Sequence, residues 1–129
     1  MSDKSKLVYI CSPYRRGSLF ENAERARYYC RMAALEGFVP VAPHLLYPQF
    51  LDETKPDERR LGMKCGVSLL EMCAELWCFG DPEWSEGMTA EIAFAKEHDI
   101  PVKHFPLLPH DEFDECGDRI ITPPEYRKE

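Results

Sequence analysis

Leu76-Trp77-Cys78-Phe79-Gly80, followed by Asp81-Pro82-Glu83-Trp84 and then Ser85-Glu86-Gly87-Met88-Thr89-Ala90-Glu91, is the stretch on which the reading of this chain turns. The first segment is a short apolar run closed by glycine, the pattern of a buried strand. The last opens a helical pattern that continues to about His98, with Met88, Glu91, Ile92 and Ala95 three and four residues apart on one face. Strand, acidic turn and helix is the unit by which α/β proteins present reacting groups at the carboxyl edge of a sheet. A carboxylate on such a face, here Glu91, is either a structural acid paired with Lys96, Arg25 or another partner, or a positioned reagent. Without a partner its pKa would be raised, which calls for an explanation.

Working outward, Leu7-Val8-Tyr9-Ile10-Cys11 is a second continuous apolar run, expected to be the first strand. Ser12 to Ser18 breaks it with Pro13 and Gly17. A helix is then expected on the face Phe20, Ala23, Ala26, Cys30, Ala33 and Ala34, ended by Gly37 as the residue just past its C-cap. Phe38 to Ala42 reads as a strand, and Pro40 places it at a sheet edge or a strand start. Pro43 to Pro56 is read as a long loop whose aromatic and Leu content argues against disorder. Asp57 or a neighbour is expected to cap the next helix, with Leu61, Cys65, Leu69, Leu70 and Cys73 as its apolar positions. Pro101 to Phe105 reads as the last core strand. Beyond it the chain is rich in Pro and acids, with Arg119 to Thr122 as a further short strand or packing segment.

The order β-α-β-α-β-α-β predicts a Rossmann-like or flavodoxin-like three-layer sandwich, with a parallel sheet of four to five strands and helices on both faces. A length of 129 residues fits one domain, with a core over 7–105 and a C-terminal extension over 106–129. The dinucleotide fingerprint Gly-x-Gly-x-x-Gly is missing after the first strand, which argues against an NAD dehydrogenase. A net charge of −7 argues against nucleic-acid duplex binding, although a small phosphorylated ligand needs only a local site. With no apolar run of membrane-spanning length and no signal-peptide core at the N-terminus, a cytoplasmic protein is expected. The six cysteines form no Cys-x-x-Cys pair or zinc-spaced cluster, so free thiols in a reducing compartment, and no metal or cofactor, are expected.

Two segments offer an anion site. The first loop carries Ser12, Tyr14, Arg15, Arg16 and Gly17 at a helix start, and Ser85 and Gly87 stand where a helix N-terminus presents free amides. The first is alternatively a surface loop whose arginines face water, and in the second Glu91 is alternatively a paired structural acid. Asp81, Glu83 and Glu86 are candidate acids or bases, or simply a solvated turn, while His44 and Tyr47 either close over a ligand or face water.

Tyr9-Ile10-Cys11-Ser12-Pro13-Tyr14-Arg15-Arg16-Gly17 and Ser85-x-Gly87-x3-Glu91 together resemble the nucleoside 2-deoxyribosyltransferase superfamily. Within it they are similar to a small branch that also carries the patterns of Pro40-Val41-Ala42-Pro43-His44 and of Glu75 to Gly80. The resemblance covers about residues 7 to 105. It implies a flavodoxin-like enzyme, commonly a homodimer or higher oligomer, that cleaves or transfers the N-glycosidic bond of a nucleoside or nucleoside 5′-monophosphate. Glu91 matches the nucleophile, a role suited to a carboxylate that stabilises and then captures an oxocarbenium-like carbon. Ser85 matches the serine of the nucleotide hydrolases that helps hold a 5′-phosphate, and Arg15 and Gly17 match their phosphate and sugar contacts. Ser12, Tyr14, His44, Gly87 and Met88 complete the implied substrate-binding set. The superfamily's aspartate on the helix before the third strand has no counterpart here, where Gly66-Val67-Ser68 stands instead. Asp81, Glu83, His44 or water must then protonate the leaving base. The alternatives are a nucleotide-binding or sensing domain with little catalysis and, less favoured, an interaction module using the Pro-rich tail.

Overall fold

A computed structural model of the protein describes residues 6–13 and 19–105, together with the backbone of two short strands at Glu112–Phe113 and Arg119–Ile120. In chain order the elements are β1 (Leu7–Cys11), α1 (Leu19–Leu35), β2 (Val39–Val41), α2 (Pro43–Leu46), α3 (Pro56–Glu71), β3 (Glu75–Phe79), α4 (Glu86–Glu97), β4 (Val102–Phe105), β5 (Glu112–Phe113) and β6 (Arg119–Ile120). Four strands form a parallel sheet in the order β2-β1-β3-β4. The sheet thus has four members, the lower of the two expected counts. β5 and β6 pair antiparallel as a separate ladder.

Strand alternation splits the core in two. Val8, Ile10, Trp77 and Phe79 face α1, packing with Tyr28, Tyr29, Met32 and Ala33. Tyr9, Cys11, Leu76 and Cys78 face α3 and α4, packing with Leu70, Met88, Ile92 and Ala95. That division follows from right-handed crossovers. The β1-to-β2 connection runs one way along the sheet, the later two run the other, and so their helices lie on opposite faces. Because both faces are covered, β1 and β3 read as continuous apolar runs rather than alternating ones.

On the α1 face the expected helix phase is rotated. Phe20 is 73% exposed and Ala34 is exposed, whereas Ala26, Tyr28, Tyr29, Met32 and Ala33 are buried. The aromatic rings decide the phase: Tyr29 stacks on Phe79 with centroids 3.9 Å apart, and Phe79 stacks on Phe105 at 4.9 Å. Those rings bury far more apolar area than a run of alanines would. Gly37 ends α1 at φ 97°, with Phe38 N–H donating to the Ala33 carbonyl at 3.0 Å, the arrangement expected of a glycine past a helix C-cap. Pro40 sits on β2, which is an edge strand as its missing N–H requires.

The segment from Pro43 to Pro56 is not one long loop. Pro43 starts α2 and Pro48 lies in a 3₁₀ turn at Tyr47–Gln49, since a fixed proline φ favours the first turn of a helix. Nor does Asp57 cap α3: Lys55 occupies the N-cap position without a side-chain bond, and Pro56 follows it. The buried residues of α3 are Gly62, Gly66 and Leu70, while Leu61 is 49% exposed. Glycines make the contact because α2 and the turn after it lie close: a side chain on Gly62 would meet Leu51 at 3.5 Å and Tyr47 at 3.7 Å. A search for large apolar residues misses a helix face made of glycine.

Candidate active site

In this strand order β1 leads to one edge of the sheet and β3 to the other, so the chain diverges beyond their carboxyl ends. Ligands of open α/β sheets bind in the crevice so formed. Tyr9, Cys11 and Ser12 approach it from β1, Cys78 and Gly80 from β3, Pro43 and His44 from α2, and Ser85 to Glu91 from the start of α4.

At the centre the Tyr9 hydroxyl donates to Glu91 Oε2 at 2.7 Å. Tyr9 is 2% exposed and cannot turn away from this contact without leaving its hydroxyl buried and unpaired. Burial, and next the Glu91 charge, push the Tyr9 pKa well above its ordinary value, so it remains a donor. Burial also raises the Glu91 carboxyl above the usual carboxylate range, while hydrogen bonds from Tyr9 and Cys11 pull the other way. Among the described residues Glu91 has no cationic partner. The pairing considered with Lys96 or Arg25 is thus replaced by a bond from a neutral phenol. A phenol favours the carboxylate without neutralising it, which leaves a partly desolvated anion able to act as nucleophile, as base, or as counter-charge to a cationic carbon.

Ser12, 6% exposed at the end of β1, has its Oγ 3.2 Å from His44 Nε2, and which of the two donates depends on the imidazole tautomer. Burial lowers the His44 pKa to about 4, so the ring is neutral at physiological pH. The bond joins the β1 end to α2 and fixes one side of the crevice.

On the other side Ser85 is the N-cap of α4, its Oγ accepting from Met88 N–H at 3.3 Å. Thr89 Oγ1 donates to the Pro82 carbonyl at 2.9 Å, tying the preceding turn to the helix. Gly87 is exposed in the first turn. Met88 is 2% exposed within the core beneath the site. Asp81 is exposed, and its carboxylate caps the 3₁₀ turn at Pro82–Trp84 by accepting from Glu83 N–H at 2.9 Å. Tyr14, Arg15 and Gly17 lie outside the described residues.

Two contributors escape a reading of the sequence alone. Tyr9 stands in a strand that reads simply as apolar; the signal is its hydroxyl, which needs a partner once the strand is buried. Gly66, 57 residues after Tyr9 in the chain, comes to lie against it: a Cβ built there would meet the Tyr9 hydroxyl and Pro43 Cβ, each at 3.5 Å. The place where the resemblance implies an acid is therefore beside the Tyr9–Glu91 pair, and this chain leaves it without a side chain. Cys11, Cys30, Cys65, Cys73 and Cys78 are free thiols. Among the described residues no group of three His, Cys, Asp or Glu side chains is placed to hold a metal, and no helix is long and apolar enough to cross a membrane.

The fold is shared with the 2-deoxyribosyltransferase from the psychrotolerant bacterium Bacillus psychrosaccharolyticus, with a TM-score of 0.61 and 17% sequence identity over 85% of this chain and 77% of that one. No curated protein matches the sequence. A family model matches residues 6–105, spanning every strand of the parallel sheet and the whole of the crevice described above. The chain accordingly belongs to the DUF7768 family, described as a domain of unknown function.

Proposed function

We propose that this protein hydrolyses or transfers the N-glycosidic bond of a nucleoside or nucleoside 5′-monophosphate, with Glu91 as the nucleophile. The observation that carries this reading is the 2.7 Å bond from buried Tyr9 to a Glu91 carboxylate that has no cationic partner among the described residues. A structural acid would be expected to sit against a cation or in water. A carboxylate kept anionic by a phenol at the carboxyl edge of the sheet is suited to attack an anomeric carbon. The bond from that carbon to the base breaks as the bond to Glu91 Oε forms, and the base departs with the electron pair. Water, or a ring nitrogen of a second base, then displaces Glu91 and loses its proton. The relative of shared fold is a 2-deoxyribosyltransferase, which fits this chemistry.

The leaving base takes its proton from water in this scheme. Asp81 is engaged as a cap, the His44 ring is uncharged and so a poor acid at neutral pH, and α3 presents Gly66 rather than an acid. Ser85, with the free amides of α4, supports a phosphate or the sugar's 5′ oxygen. Arg15, Tyr14 and Gly17 are proposed to complete that grip from the first loop, and Ser12 and His44 to border the sugar. At Gly87 a Cβ would meet only Ser85 Oγ, at 3.6 Å. Packing within the protein therefore does not require glycine, whereas a closely approaching ligand would. The homodimer or higher oligomer proposed here is supported by the large apolar side chains left exposed at Leu46, Phe50, Leu61 and Met63.

Gly66 favours one second reading, a nucleotide-binding domain that retains the crevice without useful turnover. Incubating the protein with a panel of nucleosides and 5′-monophosphates, and following free base by chromatography, separates the two. Base release that vanishes in Glu91→Gln is expected. Thermal stabilisation by a nucleotide with no base release would favour the binding domain.

A further inference from the structure

We propose that the crevice is built for an N-glycoside whose base is a cationic heteroaromatic ring, one that departs as a neutral molecule. A pyridinium nucleoside and a purine nucleoside quaternised at N7 share that chemistry. The inference rests on the reading of Glu91 as nucleophile and names the substrate class it would serve.

The charges and the packing around the crevice point this way. Glu91 contributes a carboxylate whose hydrogen-bond donor, at 2.7 Å, is the neutral Tyr9 phenol. Ser12 and His44 meet at 3.2 Å on the β1 side, where burial keeps the imidazole uncharged. Gly66 and Pro43 close the α3 side. A Cβ on Gly66 would already touch the Tyr9 hydroxyl and Pro43, each at 3.5 Å, so the packing has no room there for a longer side chain that could carry a proton. Asp81 accepts from Glu83 N–H at 2.9 Å as the cap of its turn. The passage from β3 into α4 holds Asp81, Glu83 and Glu86, all exposed, and no cation. Among the described residues the crevice is thus a buried carboxylate set in neutral walls, with further acids at one side.

That arrangement discriminates between leaving groups. A neutral base that breaks from the sugar without a proton takes the bonding electrons and becomes an anion. It would form beside the Glu91 carboxylate, where like charges are poorly screened. A cationic base takes the same electron pair into its ring and leaves neutral, as the bond from Glu91 Oε to the anomeric carbon forms. Water then displaces Glu91 and gives its proton to solvent, so the step balances without an acid. Before reaction, the cationic ring is also attracted by the carboxylate that will attack its sugar.

Binding is tested by NMR titration of the protein with 1-methylnicotinamide and with nicotinamide, which differ by one methyl group and the charge. The cation is expected to bind about tenfold or more tightly, and Glu91→Gln to abolish the difference. Equal affinities, or a preference that survives in Glu91→Gln, overturn the proposal. Turnover is followed by chromatography of the base released from nicotinamide riboside and 7-methylguanosine, in buffer acidic enough to keep both rings cationic. Uridine and guanosine are the neutral counterparts on the same sugar. The rate with Glu91→Gln is subtracted, which removes the spontaneous breakdown of the more labile cations. The remaining kcat/KM should favour a cationic substrate by about a hundredfold or more. Release from only one of the two cations identifies the ring, pyridine or purine, that the crevice accepts. A neutral nucleoside cleaved as fast as the better cation overturns this assignment and leaves the nucleophile reading standing. If no substrate releases base, the nucleophile reading falls and the assignment falls with it.

Discussion

Replacing Glu91 by Gln is expected to stabilise the fold at neutral pH while abolishing turnover. In the native protein the Glu91 carboxyl is raised by burial and only partly compensated by Tyr9 and Cys11. The unfolded chain therefore gives up the Glu91 proton at lower pH than the native state does. Between those two points the native state binds more protons, so stability falls as pH rises. Below the unfolded value the acid is neutral in both states and this cost disappears. The amide introduced by Glu91→Gln keeps an oxygen to accept from Tyr9 and carries no charge at any pH. Each pH unit by which burial raises the carboxyl corresponds to about 1.4 kcal/mol of gain at neutral pH. In a domain of this size each kcal/mol gained raises Tm by roughly 3–5 °C. Thermal unfolding of both proteins from pH 4 to pH 8 is the assay. The difference should open with rising pH and close at the acid end. A Glu91→Gln protein that melts lower than the wild type at pH 7, or whose gain is as large at pH 4, would refute the idea that a desolvated anion is the source.

Other outcomes follow from the same geometry. Tyr9→Phe removes a bond to a charged group worth about 1.5–3 kcal/mol, so the Glu91 midpoint moves up and activity on the acid limb falls by about tenfold or more; a pH–rate profile reads this directly. For His44 the folded pKa of about 4 lies below the ordinary 6.5, so its contribution is present above pH 6.5 and is lost as pH falls towards 4. The loss is at most about 3 kcal/mol, less because the ring is only partly buried, and melting curves of His44→Gln should lack this acid-side decline. At Gly66 a methyl group meets its neighbours at ordinary contact distance, so Gly66→Ala should gain about 0.5–1 kcal/mol from helix propensity, whereas Gly66→Leu should displace the Tyr9 hydroxyl and cost activity. Ser85→Ala should cost about 1 kcal/mol through the lost cap. Ser85→Asp should retain the cap yet select against 5′-monophosphates relative to nucleosides, which a comparison of kcat/KM for the two substrates checks.

Much of the fold is legible locally. The apolar runs at Leu7–Cys11 and Leu76–Phe79 read as buried strands, because continuous apolarity at that length satisfies a sheet covered on both faces. Gly37 and Pro40 mark a helix end and an edge strand through backbone properties that need no neighbours. Glu91 stands out because a carboxylate on an apolar helical face costs free energy wherever it is buried. Ser85 announces the helix start on which Glu91 rides. What the local pattern does not carry is the phase of α1, set by Tyr29 finding Phe79 across the sheet, and the buried face of α3, made of glycines that matter only because α2 lies against them. The partner of Glu91 belongs to the same class. Tyr9 and Glu91 are 82 residues apart in the chain, and their bond exists because strand order 2-1-3-4 sets β1 beside β3 under α4. Sequence determined that an acid would sit at the carboxyl edge of the sheet. Tertiary structure decided that the Tyr9 phenol would meet it there, since only packing brings a distant donor to a desolvated charge.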